Sequence, residues 1–128
     1  MAIGLPTLLL VDDEFATLEV LELLLEPEGY RVLTASNGDE ALELLGSDHV
    51  DLVITDYKMP KMDGVELCER MRLDDRWREI PVILTSATFA QRSWPPQVVG
   101  FVRKPLLFAT LLALVRKTLD SERGEPSA

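Results

Sequence analysis

Five residues stand where chemistry could be done. Asp12 and Asp13, followed by Glu14, come directly after the apolar run Leu8–Val11. Asp56 closes a second apolar run that begins at Val50, Ser86 follows a third at Val82–Leu84, and Lys104 follows a fourth at Val98–Val102. One acid at the end of an apolar strand reads as an ordinary solvated terminus. Five such residues at the same edge of one sheet do not. Clustered carboxylates raise one another's pKa unless a cation offsets them. A hard divalent ion on oxygen ligands does this, and Mg²⁺, which keeps several of its waters, suits a site of two or three carboxylates. The Lys104 ammonium is a second, point-like cation matched to a phosphoryl oxygen. A carboxylate able to act as nucleophile, Mg²⁺, a lysine and a hydroxyl donor together make a phosphoryl-transfer site.

The intervening sequence alternates between two patterns. The short apolar runs, with a more mixed one at Tyr30–Ala35, read as strands buried on both faces. Between them Phe15, Leu18, Leu21 and Leu25 recur at helical spacing, as do Ala41, Leu44 and Leu45, then Val65, Cys68 and Met71, and finally Phe108, Leu111, Leu112, Val115 and Leu119. Asn37 with Glu40, and Asp63 with Glu66, have capping-box spacing. The resulting order is βαβαβαβ, a weak link, then βα. It predicts an α/β fold, a doubly wound five-stranded parallel sheet of order 2-1-3-4-5. Such a sheet binds ligands at the carboxyl ends of strands 1 and 3, where the acids stand.

At 128 residues the chain suits one domain, expected over 1–120, with a polar tail at 121–128. A chain this long buries roughly 65–70% of its unfolded surface, enough for a core without disulfides. There are 13 basic and 22 acidic residues, a net charge of −9, which argues against direct binding to nucleic acid or anionic membrane. The single cysteine, Cys68, lies on an apolar stripe and reads as a buried, inert thiol in a reducing compartment. The apolar run near the start lacks a basic flank and ends in three acids, unlike a signal peptide or anchor. These features predict a soluble cytoplasmic protein.

With these residues in place, the chain resembles a response-regulator receiver domain of two-component signalling. The resemblance is carried by Asp12-Asp13, by Asp56 within DLVITDYKMPKMDG, by Ser86 within VILTSA and by Lys104-Pro105 within GFVRKP. It runs from about Thr7 to Leu119. It implies that Asp56 is the phosphoacceptor and that Asp12, Asp13, Asp56 and the Lys58 backbone carbonyl hold Mg²⁺. Ser86, with neighbouring Ala87, and Lys104 would bind the phosphoryl group. Phe101 would take the place of a switch aromatic, the alternative being a plain core phenylalanine. The donor would be the phosphohistidine of a histidine kinase or phosphotransfer protein, and output would pass to a downstream protein partner. The domain would catalyse only its own phosphorylation and dephosphorylation.

The pattern departs from the family between Ser86 and Lys104. Only 18 positions separate them, against 30 between Asp56 and Ser86, and Trp94-Pro95-Pro96 cannot continue a helix. The fourth helix should be cut to a turn or lost, leaving 88–98 short and irregular. Trp94 is then either a partner contact or a cap on the shortened core. Two rival functions are a receiver-like scaffold working without phosphorylation and a phosphatase of the haloacid-dehalogenase type. The latter wants an acid two residues after its nucleophile, where this chain has Lys58. No effector domain follows, so the chain either signals through a partner or is a fragment of a longer one.

Overall fold

The computed structural model describes residues 4–88 and 93–122. Five strands, β1 (Thr7–Val11), β2 (Arg31–Ala35), β3 (Leu52–Asp56), β4 (Val82–Ser86) and β5 (Val98–Arg103), form one parallel sheet of order β2-β1-β3-β4-β5. The helices are α1 (Phe15–Leu25), extended by a 3₁₀ turn at Glu26–Glu28, α2 (Gly38–Ser47), α3 (Gly64–Arg72) and α4 (Phe108–Glu122). The tail expected at 121–128 falls outside the described residues except for Ser121 and Glu122, which end α4.

Strand side chains alternate between the two faces, so each apolar run feeds two cores at once. Leu8, Leu10, Leu52, Ile54 and Ile83 join Leu18, Leu21 and Leu25 of α1 and Leu111, Val115 and Leu119 of α4. Leu9, Val11, Val53, Val82 and Leu84 join Ala41 and Leu45 of α2 and Leu67, Cys68 and Met71 of α3. Burying one leucine side chain is worth about 1.5–3 kcal/mol; Leu8, Leu9 and Leu10 are all at or below 1% exposure. This two-sided burial anchors the strand ends that carry the acids. Burial also pushes the Cys68 thiol up to about 12, which leaves it protonated and inert.

Two sequence expectations are refined. Phe15 does not enter the core: it is 71% exposed at the first position of α1, beside the acidic loop, while Leu18, Leu21 and Leu25 point inward. Both cap spacings form, but differently. Asp63 and Glu66 make a reciprocal capping box. The Asn37 side chain accepts from the Glu40 N–H, whereas the Glu40 carboxylate accepts from the Ser36 N–H and hydroxyl instead.

Between β4 and β5 there is no helix among the described residues; 89–92 lie outside them. Trp94 is half-buried, stacked on Phe101 with ring centroids 5.6 Å apart and edge-on to Tyr57 at 5.3 Å. It caps the α3 side of the core in the short segment. Gln97, three residues further on, is buried and donates through Nε2 to the Cys68 carbonyl at 2.7 Å. The chain then enters β5 through an irregularity, with Val82 opposite Val98 and Ile83 opposite Gly100, which leaves Val99 as an extra, bulged residue.

Gly64 opens α3 against the end of β3. A Cβ there would lie 2.7 Å from the Asp56 carbonyl oxygen and 3.2 Å from the Tyr57 Cα. Helix propensity favours alanine over glycine by about 1 kcal/mol. The backbone clash opposes it and should win. Gly64→Ala is expected to destabilise the fold by roughly 1–3 kcal/mol, as overpacking does, read as a lower midpoint in urea unfolding.

Candidate functional site

Just past the strands, three backbone hydrogen bonds continue the ladders and align the site. The Asp12 N–H donates to the Ala35 carbonyl at 3.1 Å, the Tyr57 N–H to Thr85 at 2.8 Å and the Lys104 N–H to Ser86 at 2.8 Å. Asp12, Asp56, Ser86 and Lys104 are thereby held at one edge of the sheet. Asp12 (4% exposed), Asp56 (7%) and Ser86 (1%) are buried, while Asp13 is exposed.

Lys104 Nζ lies 3.0 Å from Asp12 Oδ2, 3.3 Å from Asp56 Oδ2 and 3.9 Å from Glu14 Oε1. The other Asp12 oxygen accepts the Glu14 N–H at 2.9 Å. Asp12, Asp13 and Asp56 each bring one carboxylate oxygen within 4.8 Å of the others. Oxygens around a small hard cation at 2.0–2.1 Å stand about 2.9–4.2 Å apart, a separation that modest side-chain adjustment reaches from here. Charge points the same way: one ammonium offsets one of three carboxylates, and the remaining two match a divalent ion. Residues and charge therefore fit a hard divalent cation.

Burial is the main cause that raises the Asp56 carboxyl above its ordinary value, and the Asp12 charge adds to it; Lys104 pulls it partly back. For Lys104, burial alone would lower the ammonium, but its hydrogen bond and charge pairing with Asp12, then with Asp56, outweigh this and raise it. At an effective dielectric of 20, a pair of unit charges 4 Å apart interacts by about 4 kcal/mol, so the arrangement depends strongly on which groups are ionised.

The other expected site residues are also placed. Ala87 is exposed and, with Lys104 and Pro105, lines an apolar groove of about 600 Å³ running along Val20, Leu21 and Leu24 of α1. Lys58 lies two residues past Asp56 with its ammonium 4.8 Å from the Tyr57 ring centroid. Phe101 is half-buried and stacked on Trp94. Sequence reasoning missed the approach of Glu14 to Lys104, the Tyr57–Trp94 contact, and Thr88, whose N–H and hydroxyl both reach Ser86 Oγ, at 3.0 and 2.8 Å. Only a hydroxyl two residues after Ser86 hinted at the last.

Comparison with known proteins shows the family. The response regulator receiver domain family matches residues 8–116. The transcriptional regulatory protein AfsQ1 of Streptomyces coelicolor is 41% identical over 128 residues, covering 94% of this chain and 53% of the relative. The chain thus spans about half the length of that curated relative. The solved receiver domain of an HD domain-containing protein from Pseudomonas fluorescens superposes with a TM-score of 0.86 at 30% identity, covering 94% of this chain and 98% of that one. The chemotaxis protein CheY4 of Vibrio cholerae gives 0.81 at 26%, covering 91% and 100%. The chain belongs to the response regulator receiver domain family of two-component signal transduction. No described helix is long and apolar enough to cross a membrane.

The raised Asp56 value sets a pH signature. Because the folded value lies above the unfolded one, the folded chain takes up this proton first. The cost of ionised Asp56 is therefore full above the raised folded value and absent below the ordinary 3.8. Asp56→Asn should raise the thermal midpoint at pH 7. That advantage should shrink toward zero as the pH falls through the raised value to below 3.8, as followed by calorimetric scans across pH.

Proposed function

We propose that this receiver domain, over residues 1–120, takes a phosphoryl group onto Asp56 from the phosphohistidine of a histidine kinase or phosphotransfer protein and passes the signal to a downstream protein. The observation that carries this reading is the Lys104 ammonium bridging Asp12 and Asp56 at 3.0 and 3.3 Å beside a three-carboxylate group. In the transfer, an Asp56 carboxylate oxygen forms the new P–O bond as the P–N bond to the donor imidazole breaks. The electron pair stays with the departing nitrogen, which takes up a proton. Lys104 pairs with one phosphoryl oxygen and the Ser86 hydroxyl donates to another. Asp12, Asp13, Asp56 and the Lys58 carbonyl are the groups that would hold Mg²⁺, which supplies positive charge next to the transferring oxygens. Catalysis is then positioning and electrostatics.

Water later cleaves the acyl phosphate, so each event consumes and restores the chain's own carboxylate. That is a signalling phosphoacceptor rather than an enzyme acting on external substrates. The residue two past Asp56 is Lys58, so the acid a haloacid-dehalogenase phosphatase uses is missing. The scaffold reading draws no support from the comparisons. The apolar groove beside Lys104 and Ala87 offers a protein donor a surface to lie on. We place the domain in the cytoplasm, where such donors present their phosphohistidines, and assign it no contact with nucleic acid or membrane.

Intact-mass analysis after incubation with a small phosphodonor and Mg²⁺ tests the reading. The wild type should gain one phosphoryl adduct and Asp56→Asn none; an unmodified wild type would overturn it. Mg²⁺ titration should show Asp13→Ala losing affinity at least tenfold while Glu43→Ala, on the exposed face of α2, stays near wild type. Equal affinities would remove Asp13 from the metal site.

A further inference from the structure

Ser86 is almost wholly buried at the end of β4, and its hydroxyl is engaged twice by one residue. The Thr88 N–H donates to Ser86 Oγ at 3.0 Å, and Thr88 Oγ1 lies 2.8 Å from the same oxygen. The Ser86 carbonyl in turn accepts the Lys104 N–H, so hydroxyl and ammonium come from backbones that are bonded to each other. We infer that Thr88 is a positioning residue that orients the Ser86 hydroxyl for a phosphoryl oxygen; this rests on the phosphoacceptor reading of the site.

A serine hydroxyl has one proton and two lone pairs. The Thr88 N–H fills one lone pair, and the hydroxyl–hydroxyl contact can run in either direction. When Ser86 donates to Thr88, its single proton is spent inside the loop. When Thr88 donates, both lone pairs of Ser86 Oγ are filled and its proton is left in the one remaining tetrahedral direction. An oxygen accepting two hydrogen bonds is also the stronger donor, because hydrogen bonds in a chain polarise one another. An anionic acceptor next to Ser86 therefore selects the second arrangement, in which both hydroxyl protons have reoriented. Without the Thr88 hydroxyl, the Ser86 proton has two free directions and the second donor is lost.

Beryllofluoride with Mg²⁺, a mimic of the phosphoryl group, tests this in wild type, Thr88→Val, Thr88→Ser and Asp56→Asn, with affinity and the fluorine resonance of the bound mimic as readouts. Thr88→Val should bind roughly two- to tenfold more weakly, the worth of one hydrogen bond, with a displaced fluorine resonance. Thr88→Ser should restore both. Thr88 is exposed, so thermal midpoints should agree across the Thr88 variants. Wild-type affinity and spectrum in Thr88→Val would overturn the inference, as would Thr88→Ser behaving like the valine variant. A wild type that takes no mimic, or an Asp56→Asn that takes it equally well, would overturn the phosphoacceptor reading itself.

Discussion

Too much negative charge in too little space is the constraint on which the rest of this structure depends. Asp12 and Asp56 are buried, Asp13 stands close by, and one ammonium reaches two of the three. Such a cluster is unfavourable on its own terms: burial first, and then the neighbouring Asp12 charge, raise the Asp56 carboxyl. It persists because the strands that end in these residues are fastened by apolar contacts on both faces, and the sum of those contacts exceeds the local repulsion. The stability of the two cores holds in place a site that carries more negative than positive charge.

The elements around the site serve this placement. The ladder hydrogen bonds just beyond β1, β3 and β5 bring residues from distant parts of the chain to one edge. The Asp63–Glu66 capping box starts α3 abruptly, and Gly64 lets that start approach the Asp56 backbone more closely than any Cβ would permit. Where the fourth helix is missing from the described residues, Trp94 fills the space against Phe101 and Tyr57. Tyr57 follows Asp56 directly, so this stack joins the neighbour of the candidate phosphoacceptor to the edge strand β5.

Much of this was legible in the sequence. The strand runs were long, apolar and bounded by turn residues, and their alternation with helical stripes left few topologies open. The acids, the serine and the lysine could be placed because residues at the ends of such strands must share an edge. That no helix stands between β4 and β5 among the described residues agrees with the residue count and the tandem prolines. What could not be read was anything set by the path of a loop or the rotamer of a side chain. Phe15 carried the spacing of a core residue but lies off the core. Glu40 had the spacing to cap Asn37 but turned to Ser36.

Sequence alone therefore determined the strand order, the edge where the acids, the serine and the lysine gather and the identity of those charged groups, because apolar periodicity and connection length are local and additive along the chain. Tertiary structure alone decided that Lys104 pairs with Asp12 more closely than with Asp56, that Thr88 engages the Ser86 hydroxyl, and that Trp94 stacks on Phe101. Those contacts join residues up to 92 positions apart. They depend on distances of a few tenths of an ångström that only the packed fold sets.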